Sequence, residues 1–175
     1  MFKKFDISNF KKMKPPGDNT FDTSQEIKSL SKIPLRKEFV KKYDDIEAAF
    51  NKTAKDNDVK NYDKKIAAKL IKESAPVILE LKKYHNRSRP YELDKNLAAV
   101  KMESMNTPSY PSGHSAQGIL IASVLRDKYG KSSAFMQTAK NISDSRNMAH
   151  AHYMSDSKNG TKLGQQLYKH IKNKI

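Results

Sequence analysis

Apolar residues recur at close to 3.6-residue spacing along most of the chain, which is the period of an α-helix with one buried face. Phe39, Tyr43 and Ile46 show this spacing within one predicted helix. The pattern, interrupted at prolines and glycines, predicts helices at residues 23–34, 36–51, 58–73, 74–88, 113–130, 132–148 and 152–172. We therefore expect an all-α fold, built as a single-domain bundle of about six to seven helices.

Some of the predicted helix ends carry residue types that are typical of caps. Thr23-Ser24-Gln25-Glu26 resembles a capping box, in which a hydroxyl and a carboxylate satisfy free N–H groups at a helix start. Pro76 suits the first turn of a new helix, with Ser74 as its cap. Gly130 suits the residue that follows a helix end.

The length of 175 residues fits one domain covering residues 1–175, in which residues 1–22 form an irregular N-terminal arm. The chain has no cysteine, which excludes disulfides, thiol nucleophiles and thiolate metal sites. Its apolar runs fall far short of the roughly 20 residues that a membrane-spanning helix needs. No secretory leader is recognisable, so we expect a soluble, cytoplasmic protein, periplasmic or secreted only if a leader was removed.

The formal net charge of +15 is large for this length. It arises from 34 Lys and Arg against 19 Asp and Glu, and many of these lysines are expected to be solvated surface residues. A functional interpretation is attraction of an anionic partner, and nucleic acid, an acidic membrane surface or a phosphorylated small molecule would all satisfy it. No helix-turn-helix, zinc or RNA-binding motif accompanies the charge, so we expect no specific nucleic-acid partner.

Three segments carry the candidate chemistry, and the first is Lys82-Lys83-Tyr84-His85-Asn86-Arg87-Ser88-Arg89-Pro90. Lys82 and Arg89 are seven residues apart, which would place them on one face of a continuous helix, two turns apart. They could then converge on one anion. In so basic a chain, two such cations could equally be solvated.

The second segment, Tyr110-Pro111-Ser112-Gly113-His114-Ser115, precedes an apolar-periodic helix. A helix start offers unpaired N–H groups and the positive end of the macrodipole, and glycine lets the backbone approach a ligand closely. The segment could therefore seat a phosphate group. Ser112 could also be simply a helix cap.

The third segment runs from Ser145-Arg146 to Asp156 and includes His152. His152 and Asp156 are four residues apart, which would place them on adjacent turns of the last predicted helix. The carboxylate would accept a hydrogen bond from one ring nitrogen and leave the other available as a nucleophile.

Taken together, the segments resemble the three-part signature of the type 2 phosphatidic acid phosphatase and vanadium haloperoxidase superfamily. The matching residues are Lys82-x6-Arg89-Pro90, Pro111-Ser112-Gly113-His114 and Ser145-Arg146-x5-His152-x3-Asp156. In length and helical pattern the chain is most similar to the soluble class A acid phosphatases of this superfamily. Pro15-Pro16 and Glu26 are weakly similar to the N-terminal segment of those proteins.

The resemblance implies a phosphate cradle that needs no metal or other cofactor. Lys82, Arg89 and Arg146 would neutralise the phosphoryl oxygens, and Ser112 and the Gly113 N–H would add hydrogen bonds. Either phosphate or vanadate would occupy such a site. The implied partner is an anionic, phosphorylated small molecule.

The resemblance also implies the catalytic roles. His152 would attack phosphorus and form a phosphohistidine, Asp156 would orient and stabilise its imidazolium, and His114 would protonate the leaving oxygen. One position departs from the common pattern, because His150 stands where soluble members often carry glycine, two residues before the nucleophile. His85 and His170 are, like His150, expected to have structural roles.

The implied activity is hydrolysis of phosphomonoesters by a phosphoric monoester hydrolase. Alternatives are a phosphate- or polyanion-binding protein without turnover and a vanadate-dependent haloperoxidase. Nucleotides, sugar phosphates, inositol phosphates, diphosphates and lipid head groups all present a phosphoryl group to the same cradle. Residues 91–107, between the first two segments, are the predicted source of specificity.

Overall fold

The computed structural model describes residues 1–174, and these residues form helices and loops with no β-strand among them. The α-helices are α1 (Ser8–Lys12), α2 (Phe21–Ser31), α3 (Lys37–Asp44), α4 (Ile46–Asp56), α5 (Lys65–His85), α6 (Pro90–Leu93), α7 (Gly113–Tyr129), α8 (Ser132–Met148) and α9 (Met154–Ile171), with one 3₁₀ helix at Glu103–Asn106. The all-α prediction is confirmed. The predicted helix number was too low, because the short helices α1 and α6 carry no apolar period of their own.

The helix α7 lies at the centre of the bundle and packs against both α8 and α9. Apolar residues surround it almost completely, as expected for a helix with no solvent-facing side. Two glycines of α9 allow the close approach to α7. A Cβ atom at Gly160 would lie 3.1 Å from the Cβ of Ser115, and one at Gly164 would lie 2.9 Å from the carbonyl carbon of Ala116.

Several predicted helix boundaries were wrong, among them the start of α5, which lies at Lys65 and not at residue 58. The helix α2 begins at Phe21 and not at Thr23, because the hydroxyl of Thr20 accepts the N–H of Thr23 at 3.3 Å and is the cap. The predicted helix 36–51 divides into α3 and α4 at Asp45, whose carboxylate caps α4 by accepting the N–H of Ala48 at 2.9 Å.

Pro76 lies inside α5 and does not begin a new helix. A proline removes one backbone hydrogen bond from a helix. In the turn before it, the Ser74 hydroxyl and the Gln117 side-chain amide both donate to the carbonyl of Ile71, at 3.2 and 3.1 Å. These side-chain bonds and packing between α5 and α7 support the uninterrupted helix.

A second, smaller apolar cluster holds the loop that follows α6 against the end of α8. Its buried members are Val40, Met105, Ala149 and Ala151. The backbone N–H of Val100 also donates to the carbonyl of Ala149 at 3.0 Å. This packing places the predicted specificity segment 91–107 beside the residues that precede α9.

Candidate active site

The three segments of the signature meet at a cleft of about 220 Å³ between α5, the 3₁₀ helix and the start of α7. Its lining includes five of the predicted site residues, namely Lys82, Arg89, Gly113, His114 and His152. The other three, Ser112, Arg146 and Asp156, are buried. Asp156 contacts His152 of the lining, Ser112 contacts Ser115, and Arg146 contacts Asp44, which also contacts His114 of the lining.

His152 and Asp156 form the expected pair, but not on one helix. The helix α9 begins at Met154, so His152 lies in the bend before it and Asp156 lies in its first turn. Nδ1 of His152 donates to Oδ2 of Asp156 at 3.1 Å. This bond fixes the tautomer in which Nε2 keeps its lone pair, and Nε2 lies 3.3 Å from Nη1 of Arg89.

The Asp156 carboxylate is fully buried and has further hydrogen-bond donors. Oδ2 also accepts the backbone N–H of Tyr153 at 3.1 Å and the hydroxyl of Ser109, and Oδ1 accepts Nη1 of Arg87 at 2.7 Å. Burial opposes ionisation, but the hydrogen bond from His152, then the charge of Arg87 and the hydroxyl of Ser109, outweigh it and lower the pKa of Asp156 below its usual value. The residue is therefore a carboxylate that can orient His152.

Lys82 and Arg89 converge through a chain reversal and not through a shared helix face. The helix α5 ends at His85, and Asn86 adopts the left-handed conformation with φ of 45°. The chain then returns so that Arg89 caps α6. The expected two-turn helical spacing was wrong, although both side chains line the cleft.

The polar partners of these two buried cations are mainly backbone carbonyl oxygens. Nζ of Lys82 donates to the carbonyls of Pro108 and Ser109 at 2.5 and 3.3 Å. Arg89 donates to the carbonyls of Thr107, Ala151 and Ser104, at 3.0, 2.8 and 3.1 Å. Burial, and then repulsion from Arg89, lowers the pKa of Lys82 to about 7.

Arg146 is held by Asp44 from the end of α3. Its Nη1 donates to Oδ1 of Asp44 at 2.8 Å, and its Nε donates to the Ser145 hydroxyl at 3.0 Å. The other terminal nitrogen, Nη2, is buried and has no hydrogen-bond partner among residues 1–174. A buried guanidinium with an unused donor is suited to binding an anion.

The start of α7 was predicted correctly. Ser112 is the cap, and its hydroxyl accepts the N–H of Ser115 at 3.3 Å. The Ser112 N–H donates to the backbone carbonyl of Asp156 at 3.1 Å, which ties this helix start to α9. A Cβ at Gly113 would lie 3.4 Å from a methyl group of Ile78 and 3.9 Å from Cε of Lys82, so the Lys82 side chain passes beside this helix start.

His114 contacts the same residue that holds Arg146. Its Nε2 donates to the carbonyl oxygen of Asp44 at 2.9 Å, which leaves Nδ1 as the second ring nitrogen. Burial, and then repulsion from Arg146, lowers the pKa of His114 to about 4. Burial likewise lowers the pKa of His152 to about 3, so both imidazoles are neutral near pH 7 in the empty site.

His150 has a backbone conformation that glycine adopts more easily than any other residue. Its φ is 53°, in the left-handed region where glycine has no Cβ penalty. Its ring is held by contacts of 2.7 Å to each of two carbonyl oxygens, those of Ala98 and Ile33. These contacts offset the strain of placing a histidine there. The remaining histidines are also in structural contacts, His85 with the carbonyl of Phe10 and His170 with the rings of Phe2 and Phe5.

Sequence reasoning missed Arg87, Ser109 and Asp44. Arg87 lies within the first segment, but its spacing gave no reason to separate it from the solvated cations around it. Ser109 precedes the second segment by one residue. Asp44 is far from all three segments along the chain, and no local pattern identifies it.

The fold is similar to that of a solved structure, a transmembrane phosphatidylglycerolphosphate phosphatase of the PAP2 type from Bacillus subtilis. The TM-score is 0.63 at 18% sequence identity, and the match covers 99% of this chain and 96% of that chain. No protein-family model and no curated protein matches the sequence. At this identity the likeness establishes a shared fold, which is the fold that the three-part signature implied. In residues 1–174, every helix is too short or too polar to cross a bilayer.

Proposed function

We propose that the protein is a phosphoric monoester hydrolase that uses His152 as its nucleophile and requires no metal ion. The observation that carries the proposal is the hydrogen bond from His152 to Asp156, which leaves the Nε2 lone pair of His152 facing Arg89 in a cleft that Lys82 and a helix start also line. The proposed chemistry is the kind that the resemblance to class A acid phosphatases implies. The fold shared with a PAP2-type phosphatase supports it as an analogy.

In the first step, Nε2 of His152 attacks phosphorus while the bond from phosphorus to the leaving oxygen breaks. His114 donates a proton to that oxygen. The phosphohistidine keeps its Nδ1–H, so the ring carries positive charge that the Asp156 carboxylate stabilises. In the second step, water attacks the same phosphorus, His114 accepts its proton, and inorganic phosphate leaves with His152 restored.

The cations account for substrate binding and for the proton on His114. Lys82, Arg89 and Arg146 would neutralise the phosphoryl oxygens, as metal ions do in other phosphatases. In the empty site, burial and positive charge lower the pKa of His114. A bound phosphoryl dianion would offset that charge and raise the pKa of His114, so that the acid becomes protonated when substrate is present.

The test is hydrolysis of p-nitrophenyl phosphate in EDTA, with rapid-quench labelling by a ³²P-labelled substrate. We expect turnover to survive chelation, micromolar-scale vanadate to inhibit it, and acid-labile label to appear in the wild type but not in His152→Ala. The variant should still bind phosphate, because the cations remain. Activity that EDTA abolishes and Mg²⁺ or Zn²⁺ restores would refute metal independence, and binding without turnover would indicate an anion-binding protein.

A further inference from the structure

Arg87 bridges the catalytic carboxylate to a second carboxylate. Its Nη1 donates to Oδ1 of Asp156 at 2.7 Å, and its Nη2 donates to Oε2 of Glu26 at 2.6 Å. Its guanidinium carbon lies 3.7 Å from the ring centre of Tyr153. The Arg87 side chain is 1% exposed and that of Glu26 is 19% exposed, so this is a largely desolvated pair.

Glu26 also holds the start of the helix that carries Asp156. Its Oε1 accepts the backbone N–H of Ser155 at 3.0 Å, and its Oε2 accepts the Ser155 hydroxyl at 2.9 Å. Since Ser155 lies in the first turn of α9, Glu26 satisfies one of the free N–H groups there. The helix α2 is thereby fastened to the start of α9, next to the catalytic pair.

The charges of this group matter for the reaction. The charges of Asp156 and Arg87 alone would nearly cancel. The carboxylate would then give an imidazolium at His152 little electrostatic stabilisation. Glu26 restores a net negative charge behind the pair. Ion pairs in such a buried setting are strong, because little water screens them.

We propose that Glu26 and Arg87 are positioning residues for His152. Arg87 holds the Asp156 carboxylate with Oδ2 toward His152, and Glu26 offsets the charge of Arg87 so that Asp156 stabilises the charged ring. This inference rests on the proposed function. Neither residue lines the cleft, so their loss should change kcat and leave substrate binding nearly intact.

The experiment compares Glu26→Gln and Arg87→Gln with Glu80→Gln as a matched control. Glu80 also pairs with a cation, Lys11, at 2.9 Å, but this pair is more exposed and makes no hydrogen bond to Asp156, Arg87 or Glu26. We expect kcat to fall roughly 10- to 100-fold in the first two variants, the range for members of one charge network, with KM within about twofold. The control should match the wild type in both constants.

A readout independent of turnover is the downfield ¹H resonance of the His152 Nδ1–H, assigned by its loss in His152→Ala. It should shift or broaden in Glu26→Gln and Arg87→Gln and stay unmoved in Glu80→Gln. If the wild type hydrolyses no phosphomonoester, the proposed function fails, and this resonance still tests the positioning role.

A purely structural role predicts a different result. In that case the two variants would lower the melting temperature but keep the wild-type kcat and the wild-type resonance at temperatures where they are folded, and the proposal would be wrong. Should Arg87→Gln not fold, Glu26→Gln decides the matter, because Gln is isosteric and can still accept the N–H of Ser155.

Discussion

The close packing of α9 on α7 at Gly164 leads to a specific prediction. We expect Gly164→Ala to destabilise the protein, whereas Gly118→Ala, in the neighbouring helix α7, should be tolerated. A Cβ at Gly164 would lie 2.9 Å from the carbonyl carbon of Ala116 and closer still to its oxygen. A Cβ at Gly118 would lie 3.5 Å from a methyl group of Ile142, which is ordinary van der Waals contact.

The magnitude follows from two opposing effects. Both changes replace glycine by alanine inside a helix, which stabilises each variant by about 1 kcal/mol. Gly164→Ala adds an overlap with backbone that only a shift of α9 can relieve, and overpacking of this kind costs about 1–3 kcal/mol. The propensity gain cancels in the comparison, so Gly164→Ala should be less stable than Gly118→Ala by about 1–3 kcal/mol.

The same shift should reach the active site, because α9 carries Asp156 and α7 begins at the phosphate seat. A displacement of about 1 Å between catalytic groups costs on the order of 100-fold in rate. Urea unfolding followed by circular dichroism gives the stability of each variant, and hydrolysis of p-nitrophenyl phosphate gives kcat/KM. Equal stability of the two variants would refute the packing argument. A destabilised Gly164→Ala with wild-type kcat/KM would refute the coupling to the site.

Four further predictions address the charges and roles at the site. Asp156→Asn should remain folded by circular dichroism but lose roughly 10²- to 10⁴-fold in kcat, by analogy with the orienting acid of a hydrolytic triad. His114→Ala should slow alkyl phosphates far more than aryl phosphates, since a good leaving group departs without a proton, and equal losses would contradict its role as the acid. If surface lysines steer the substrate, added salt should lower kcat/KM and leave kcat nearly unchanged; equal effects on both would indicate lysines without a steering role. Because the pKa of Lys82 falls from 10.5 to about 7 in the folded protein, the unfolded chain binds one more proton between those pH values. Stability to urea of the ligand-free protein should therefore rise with pH across this window, and the rise should vanish in Lys82→Met.

The sequence predicted helix ends well where the deciding residues are local. Ser112 caps the start of α7 and Gly130 follows its end, as predicted. Both residues are adjacent in sequence to the helix that they delimit, so the local sequence is enough to identify them. The prediction of helix ends failed where a residue distant in sequence determines whether the helix continues. Pro76 stays within α5, where Gln117 from another helix supports the weakened turn. A local cap was missed as well, because Asp45 divides a helix that apolar spacing alone presents as continuous.

The candidate site divides in a similar way. The family resemblance carried by the three segments selected five residues that line the cleft. The residues that orient them come from elsewhere, Asp44 from the end of α3 and Glu26 from α2. Contacts of this kind depend on helix packing, which no spacing along the chain records.

The distribution of charge around the cleft links stability to the proposed reaction. Lys82 and Arg89 donate chiefly to neutral carbonyls, and burial is the first cause of the lowered pKa of both groups. His114 and His152 have lowered pKa values for the same reason, with neighbouring cations adding to the effect. The Asp156 carboxylate, by contrast, lies on the far side of His152 and already has Arg87 as a partner. The cations of the cleft are therefore not fully balanced by its carboxylates, which is a cost to folding. In the proposed function, a bound phosphoryl dianion would supply negative charge to the cleft. In the proposed reaction it thereby raises the pKa of His114 at the step in which the leaving oxygen must receive a proton.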